Sequence, residues 1–437
     1  MQAPWRIIMS VAGLTGARLA GAGFGFLSQL VLARTFLPHD VGTAFLAMSV
    51  TAFVSLLITG GYHTIALTYL ARFRAFGRNG LVQAFLWAAR RDMVVLSILV
   101  LILTPVAFLL PFEDGVAKAV AYGVLAAIPL AVIRLNNSAA NAQRRFALSY
   151  MPDFVVRPGL LLVFLGGLVL FGAVSNIDIV LIGMVAIALV VAVGQAVIMG
   201  ADNAFSIPAS KPSRDMRPYY RRRAAAMLMV TVVSGATADL VVLVGGVFLP
   251  PSQLAVLGVA VRVAALVGFI SSASQHFVLR DLVSAMSSMT RTQSDALLWR
   301  TNVVGLGMMV ATTLAALVFG PFVLALFGPD YVSGYWPLVI FLFSQSVRVM
   351  GGMNGHLLSL GGHQVRSAAL CAVVVVLLVA LSAILTPIWG LVGIALALLV
   401  AELAWAIGLG MLTQRLEGRR GDIFQGLATH RLFTAAR

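Results

Sequence analysis

Apolar runs about the length of a bilayer crossing recur along almost the whole chain, divided by short stretches of charge, proline or glycine. A membrane-crossing helix needs about 20 such residues. In hydrocarbon each backbone group must be paired inside the protein, so runs of this kind fold as helices. They fall near 6–34, 40–64, 90–110, 116–138, 154–173 and 178–200, and again near 224–248, 253–275, 301–327, 334–358, 367–387 and 389–413. With 60% hydrophobic and 10% charged residues and a mean hydropathy of +1.00, the 437-residue chain has too little polar surface for a water-soluble globule. The expected fold is an all-α polytopic membrane protein of about 12 transmembrane helices.

The arginines orient it. After each even-numbered run comes a basic connection: Arg72, Arg74 and Arg78; Arg144 and Arg145; Lys211 with Arg214 to Arg223; Arg280, Arg291 and Arg300; Arg366; and Arg415, Arg419 and Arg420. The other side holds Arg34 and Lys118 against Asp40, Glu113, Asp114, Asp178 and Asp330. Basic residues stay cytoplasmic, so both termini are expected inside, with an uncleaved first span. The formal net charge of +15 is spread between apolar runs rather than gathered on one soluble face, which excludes a nucleic-acid-binding module.

The longest basic connection, 201–223, carries Pro208, Pro212 and Pro218 and reads as a linker. It separates an N-terminal six-helix bundle, 1–200, from a C-terminal one, 224–413, with a basic cytoplasmic tail at 414–437 that is expected to rest on the anionic inner leaflet. A short repeat agrees with two halves: Phe36-Leu37-Pro38 near the start of the second run and Phe248-Leu249-Pro250 near the start of the eighth. Outer connections such as Pro250-Pro251-Ser252-Gln253 leave no room for an external catalytic or receptor domain. Function is expected between helices, without enzymatic chemistry.

Charges within the runs are the candidate site. Arg18, Arg134, Arg262, Arg348, Asp239 and Glu402 fall there, and each needs a partner or a watery cavity. Asp239 and Arg262 stand equally far from the Pro250-Pro251 turn, which predicts a salt bridge that positions helices. Arg18 and Arg348 meet no acid across their own hairpins, and Glu402 alone cannot neutralise both, so a positive charge remains for an anionic ligand. Gln29 shares a helical face with Arg18, Ala22 and Gly25. The glycines of this first run favour close helix packing. Asn354 and Gln345 accompany Arg348, amides that suit hydroxyl-rich ligands. His63 reads as a helix-end hydrogen-bonding group.

No phosphate-cradling loop of the lysine-containing form is possible with only Lys118 and Lys211, and no His or Cys cluster has metal-ligand spacing, so no cofactor or metal is expected. The single cysteine, Cys371, allows no intramolecular disulfide.

Several stretches resemble the bacterial polysaccharide transport family, the lipid-linked oligosaccharide flippases of the multidrug/oligosaccharidyl-lipid/polysaccharide exporter superfamily. They are Gln29-Leu30-Val31-Leu32-Ala33-Arg34 with Phe36-Leu37-Pro38; Arg144-Arg145-Phe146 with Pro152-Asp153 and Arg157-Pro158; Asp239, Phe248-Leu249-Pro250 and Ala260-Val261-Arg262; and Leu326-Phe327-Gly328-Pro329-Asp330-Tyr331. The resemblance implies two six-helix bundles around a central cavity that opens alternately to each side of the inner membrane. It also implies a polyprenyl-pyrophosphate-linked sugar as substrate and the glycosyltransferases or polymerase of the same pathway as partners. Substrate contacts would come from Arg18, Gln29, Arg348, Arg262 and Arg134, with Asp239 and Glu402 as coupling or ion-pair residues. Related multidrug or cation antiporters typically carry acids in the first helix, which this chain lacks. A polytopic glycosyltransferase or polymerase would need a larger loop at a membrane face.

Overall fold

A computed structural model describes residues 4–110, 114–172, 176–200, 216–268, 291–418 and 420–424; the side chains of 4–15, 18, 114, 216–217, 291–298, 300–301, 356 and 360 lie outside the description. Every regular element among the described residues is helical. The first elements are α1 (Pro4–Thr35), α2 (Pro38–Thr59), α3 (Tyr62–Ala75), α4 (Asn79–Leu103), α5 (Val106–Leu109) and α6 (Asp114–Ala142). Next come α7 (Phe146–Met151), a π-helical turn (Pro152–Val156), α8 (Arg157–Leu170), α9 (Ile177–Met199), α10 (Met216–Gly235), α11 (Thr237–Phe248) and α12 (Pro251–Gly268). After these stand α13 (Arg291–Ala325), a 3-10 turn (Pro329–Gly334), α14 (Tyr335–Met350), α15 (Asn354–Leu360) and α16 (Gln364–Glu417). Among the described residues eight helices are long and apolar enough to cross a membrane, and the bent pair α10–α11 raises this to nine.

The chain forms two compact units, Met1–Ala255 and Val256–Arg437. In the first, α2 and α6 are its buried axis, whereas the apolar stretches of α4–α5 and α7–α8 hold almost no buried residue, as suits helices that face lipid. Here α10 and α11 pack against α3 and α2. The two repeated Phe-Leu-Pro segments have equivalent local structure: an extended leucine, Leu37 or Leu249, leads into a helix that opens on Pro38 or Pro251. Proline tolerates the first helical turn because no N–H is missed there.

The π turn has a proline cause. Pro158 has no N–H to return to the carbonyl of Phe154, and its ring would crowd that carbonyl in an α-helix. The chain widens, and the Arg157 N–H bonds back to the Pro152 oxygen, five residues earlier. The freed Phe154 carbonyl meets α1 where a Cβ on Gly21 would stand 1.6 Å from its oxygen. Ser28, further along α1, donates at 3.4 Å to the Pro158 carbonyl. Glycine packing, expected along the first run, is thus concentrated at Gly21; Gly16, Gly23 and Gly25 would meet nothing within 4 Å.

In the second unit α14 lies between α13 and α16. Residue Gly390 breaks α16 with φ 55° and ψ −128°. The Leu370 side chain packs where a Cβ on Gly408 would stand, although an unbroken helix would hold residues about 38 apart at roughly 57 Å. The element is therefore a hairpin, and its arms supply the two runs expected at 367–387 and 389–413.

Behind α16 the chain turns back. At 420–424 it forms a strap across the break between α14 and α15. The Gly421 carbonyl accepts from Asn302 Nδ2 at 2.8 Å and from the Met353 N–H at 2.9 Å, and its N–H donates to Asn354 Oδ1 at 2.7 Å. Asp422, 2% exposed, accepts from Arg420 Nε at 2.9 Å, Asn354 Nδ2 at 3.4 Å and the Phe424 N–H at 3.1 Å. Backbone groups at a helix break need partners, and the strap supplies them. Asn354, read from sequence as a companion of Arg348, serves this strap. Asn354→Ala is expected to speed tryptic cleavage after Arg420 by roughly tenfold or more, because the two bonds it makes to the strap together contribute about 2 kcal/mol; an unchanged rate would deny the strap its anchor. Residues 425–437 of the tail and 201–215 of the expected linker lie outside the described residues.

Candidate functional site

The polar groups held among the helices form separate clusters in the two units. In the first, Arg134 lies on α6 within electrostatic reach of Asp153 in the π turn, Asp239 on α11 and Arg157 on α8. Arg157 Nε donates to Asp153 Oδ1 at 3.0 Å. His63, in the first turn of α3, feels the Arg134 charge. Its Nδ1 contacts Thr59 Oγ1 at 2.8 Å and its Nε2 contacts Thr64 Oγ1 at 3.1 Å, while Thr64 lies 3.2 Å from Thr231 on α10. Both ring nitrogens are engaged by hydroxyls, as a helix-end hydrogen-bonding role requires. Nearby on α6, the Asn137 amide contacts the buried Gln195 amide at 2.7 Å, and Gln195 Nε2 donates to the Leu148 carbonyl at 2.9 Å.

Residues Arg18 and Gln29 stand on α1, the helix that touches the π turn at Gly21. Gln29 is half-buried; the Arg18 side chain lies outside the described residues. The stretch from Asp153 to Arg157 therefore faces the same helix that carries Arg18, one turn from the Gly21 contact.

In the second unit Arg348 on α14 forms an ion pair with Glu402 on the second arm of α16. Its guanidinium also lies 5.3 Å from the centre of the Trp405 ring. The acid that meets Arg348 comes from α16 and not from the α13 helix of its own hairpin. Arg262 on α12 is half-buried, with Nη1 3.4 Å from the Gly258 carbonyl one turn earlier. Asp239 and Arg262, expected to pair, fall in different compact units.

One constellation escaped the sequence reasoning. Asp92 on α4 accepts from Arg221 on α10 through Nε at 2.7 Å and Nη2 at 2.5 Å, and from the Tyr62 hydroxyl on α3 at 2.8 Å. This forked pairing is the strong geometry for guanidinium and carboxylate, and it ties three helices of the first unit. In the sequence Asp92 follows Arg90-Arg91 at the start of the run near 90–110.

No protein-family profile matches the chain, and no curated protein sequence is similar to it. Solved structures are similar. An inward-facing multidrug resistance MATE family transporter of the MOP superfamily matches with a TM-score of 0.71 at 13% identity, over 92% of this chain and 98% of that one. The lipid II flippase MurJ in an inward closed conformation matches with a TM-score of 0.69 at 12% identity, over 92% of this chain and 87% of that one.

The fold is that of the MATE and MurJ transporters.

A MOP superfamily transporter from Pyrococcus furiosus, described as having a binding pocket of reverse polarity, also matches, with a TM-score of 0.58 at 13% identity over 92% of this chain and 94% of that one. Likenesses at this identity establish the MATE–MurJ fold and leave the substrate to this chain's own residues. Within that fold the candidate residues divide into the Arg134 cluster with α1 in one unit and the Arg348–Glu402 pair with Arg262 in the other.

Proposed function

We propose that this protein is a transporter that flips a polyprenyl-pyrophosphate-linked oligosaccharide across the bacterial inner membrane by alternating access, with arginines between the helices binding its anionic head group. The observation that carries this reading is a surplus of positive charge at membrane level: Arg18, Arg134, Arg157, Arg262 and Arg348 stand against Asp153, Asp239 and Glu402. Arg157 is occupied by Asp153, and Arg348 by Glu402. That pairing shifts the expected head-group contacts toward Arg18 and Arg134 in the first unit. Guanidinium donors match phosphate oxygens in pairs, and the amides and hydroxyls around Arg134 and His63 suit a sugar.

Arg18→Ala and Arg134→Ala proteins, reconstituted in vesicles at normal insertion levels, are expected to flip a fluorescent lipid-linked sugar at least about tenfold more slowly, the loss of a charge-assisted contact of about 1.5–3 kcal/mol. The parental rate in both would sink the proposal. The likeness to multidrug MATE transporters favours a second reading, export of organic cations; efflux of a cationic dye from the same vesicles, insensitive to both substitutions, would support it.

A further inference from the structure

We propose that the arginine pair at the middle of α4, where its apolar stretch begins, holds a binding site for an anionic glycerophospholipid of the inner leaflet, separate from any path through the protein and independent of what the protein transports. Its residues are Trp87, Arg90 and Arg91, with an apolar stripe above them.

The stripe comes first. Val94, Val95, Ile98 and Ile102 are 52%, 56%, 51% and 67% exposed, and from Arg91 they follow at three, four, seven and eleven residues along α4, one face of a helix. In a chain that spans a membrane this face meets acyl chains. From Arg91 to Ile102 the helix rises about 16 Å, close to the hydrocarbon depth of one leaflet. A lipid lying on the stripe thus has its head group at Arg91.

Helical side chains tilt toward the N-terminal end, so those of α4 lean away from the hydrocarbon and toward the head-group layer. The Arg91 side chain is exposed, with its guanidinium 5.7 Å from the centre of the Trp87 ring one turn below. Tryptophan prefers this interfacial level, and its ring orients the guanidinium without neutralising it.

Arg90 makes the site more than a snorkelling charge. It is half-buried, its Nε is shielded from solvent, and it makes no hydrogen bond or ion pair with any described residue. A buried guanidinium N–H without an acceptor is costly, and a phosphate oxygen would relieve it. The nearest acid in sequence, Asp92, has its oxygens engaged by Arg221 and Tyr62. Across 62–92 and 218–228 it is the single acid beside eight arginines. The N-terminal half of α4, which these arginines close, is on the cytoplasmic side by the distribution of arginines among the connections, and the cytoplasmic leaflet carries the anionic lipids that juxtamembrane arginines attract.

The test is native mass spectrometry of the full chain in mild detergent, titrated with phosphatidylglycerol or phosphatidylcholine. The R90Q/R91Q protein is expected to lose phosphatidylglycerol occupancy by about tenfold or more. R72Q/R222Q, which removes two exposed arginines from the same side, is expected to change it less than about twofold. Since Arg91 is exposed, R91Q alone serves if the double variant does not fold, with an expected loss of about threefold or more. Equal losses in the two double variants would mean diffuse attraction to net charge and would overturn the site, as would unchanged occupancy in R91Q and R90Q/R91Q. Displacement of phosphatidylglycerol by an equimolar polyprenyl pyrophosphate would also overturn it, assigning the arginines to transported substrate.

Discussion

Glu402→Ala is expected to destabilise the second unit by about 3–5 kcal/mol, the usual cost of removing one partner of a buried ion pair. The Glu402 side chain is 4% exposed and that of Arg348 19% exposed. They come from α14 and the second arm of α16, so their pairing holds two helices in register. Without the carboxylate the guanidinium keeps its place over Trp405 but loses the charge that offsets its desolvation. Thermal unfolding of purified protein in detergent reads the effect directly. A double replacement, Arg348→Met with Glu402→Leu, is expected to recover most of the loss, because apolar packing commonly matches or exceeds a buried pair. Strictly additive losses in the single and double proteins would show that the pair does not act as a unit.

The second large effect is expected at the junction of α2 and α3. Gly60 and Gly61 both have left-handed backbones, with φ of 53° and 81°. Their surroundings differ. A Cβ on Gly60 would lie 3.4 Å from the end of the Leu96 side chain, which can move. A Cβ on Gly61 would lie 1.9 Å from the Ala224 carbonyl oxygen and 3.0 Å from the Leu228 nitrogen, both backbone atoms of α10. Gly61→Val therefore adds a steric clash to a conformational cost of about 1–2 kcal/mol, and a total beyond about 4 kcal/mol puts it among exceptional substitutions. The measurement is the yield of monodisperse protein after solubilisation: Gly61→Val is expected to give almost none, and Gly60→Asn close to the parental yield. Equal yields would mean that α10 is free to move away from the junction.

Much of this architecture is legible in the sequence because the membrane leaves few choices. Apolar length dictated helices, and the repeated Phe-Leu-Pro segments stand just before or at the starts of α2 and α12. Breaks were harder to see. The runs at 40–64 and 334–358 each hold a helix and the beginning of another, divided at Gly60-Gly61 and at Gly351-Gly352-Met353. The run near 224–248 bends by 82° between α10 and α11. In each case hydropathy continues through the break, so an apolar scan passes over it, and only tertiary contacts say which glycines turn the chain. The candidate site was legible as a set of charges and far less so as a set of pairs. Matching depths across one hairpin tests neighbours in sequence, whereas Glu402 reaches Arg348 from 54 residues away, and Asp92 finds Arg221 across 129.

The hairpin at Gly390 bears on how the protein is made. Its turn, Thr386-Pro387-Ile388-Trp389-Gly390-Leu391, carries no charge, and one residue in a left-handed conformation reverses the chain. Neither arm has a hydrophilic connection to draw it into water on the far side, so the insertion machinery would release both into the bilayer together. Arg348 and Glu402 would then meet only after that joint entry, making their pairing a late step in biogenesis, completed when α14 and the second arm of α16 are both in place.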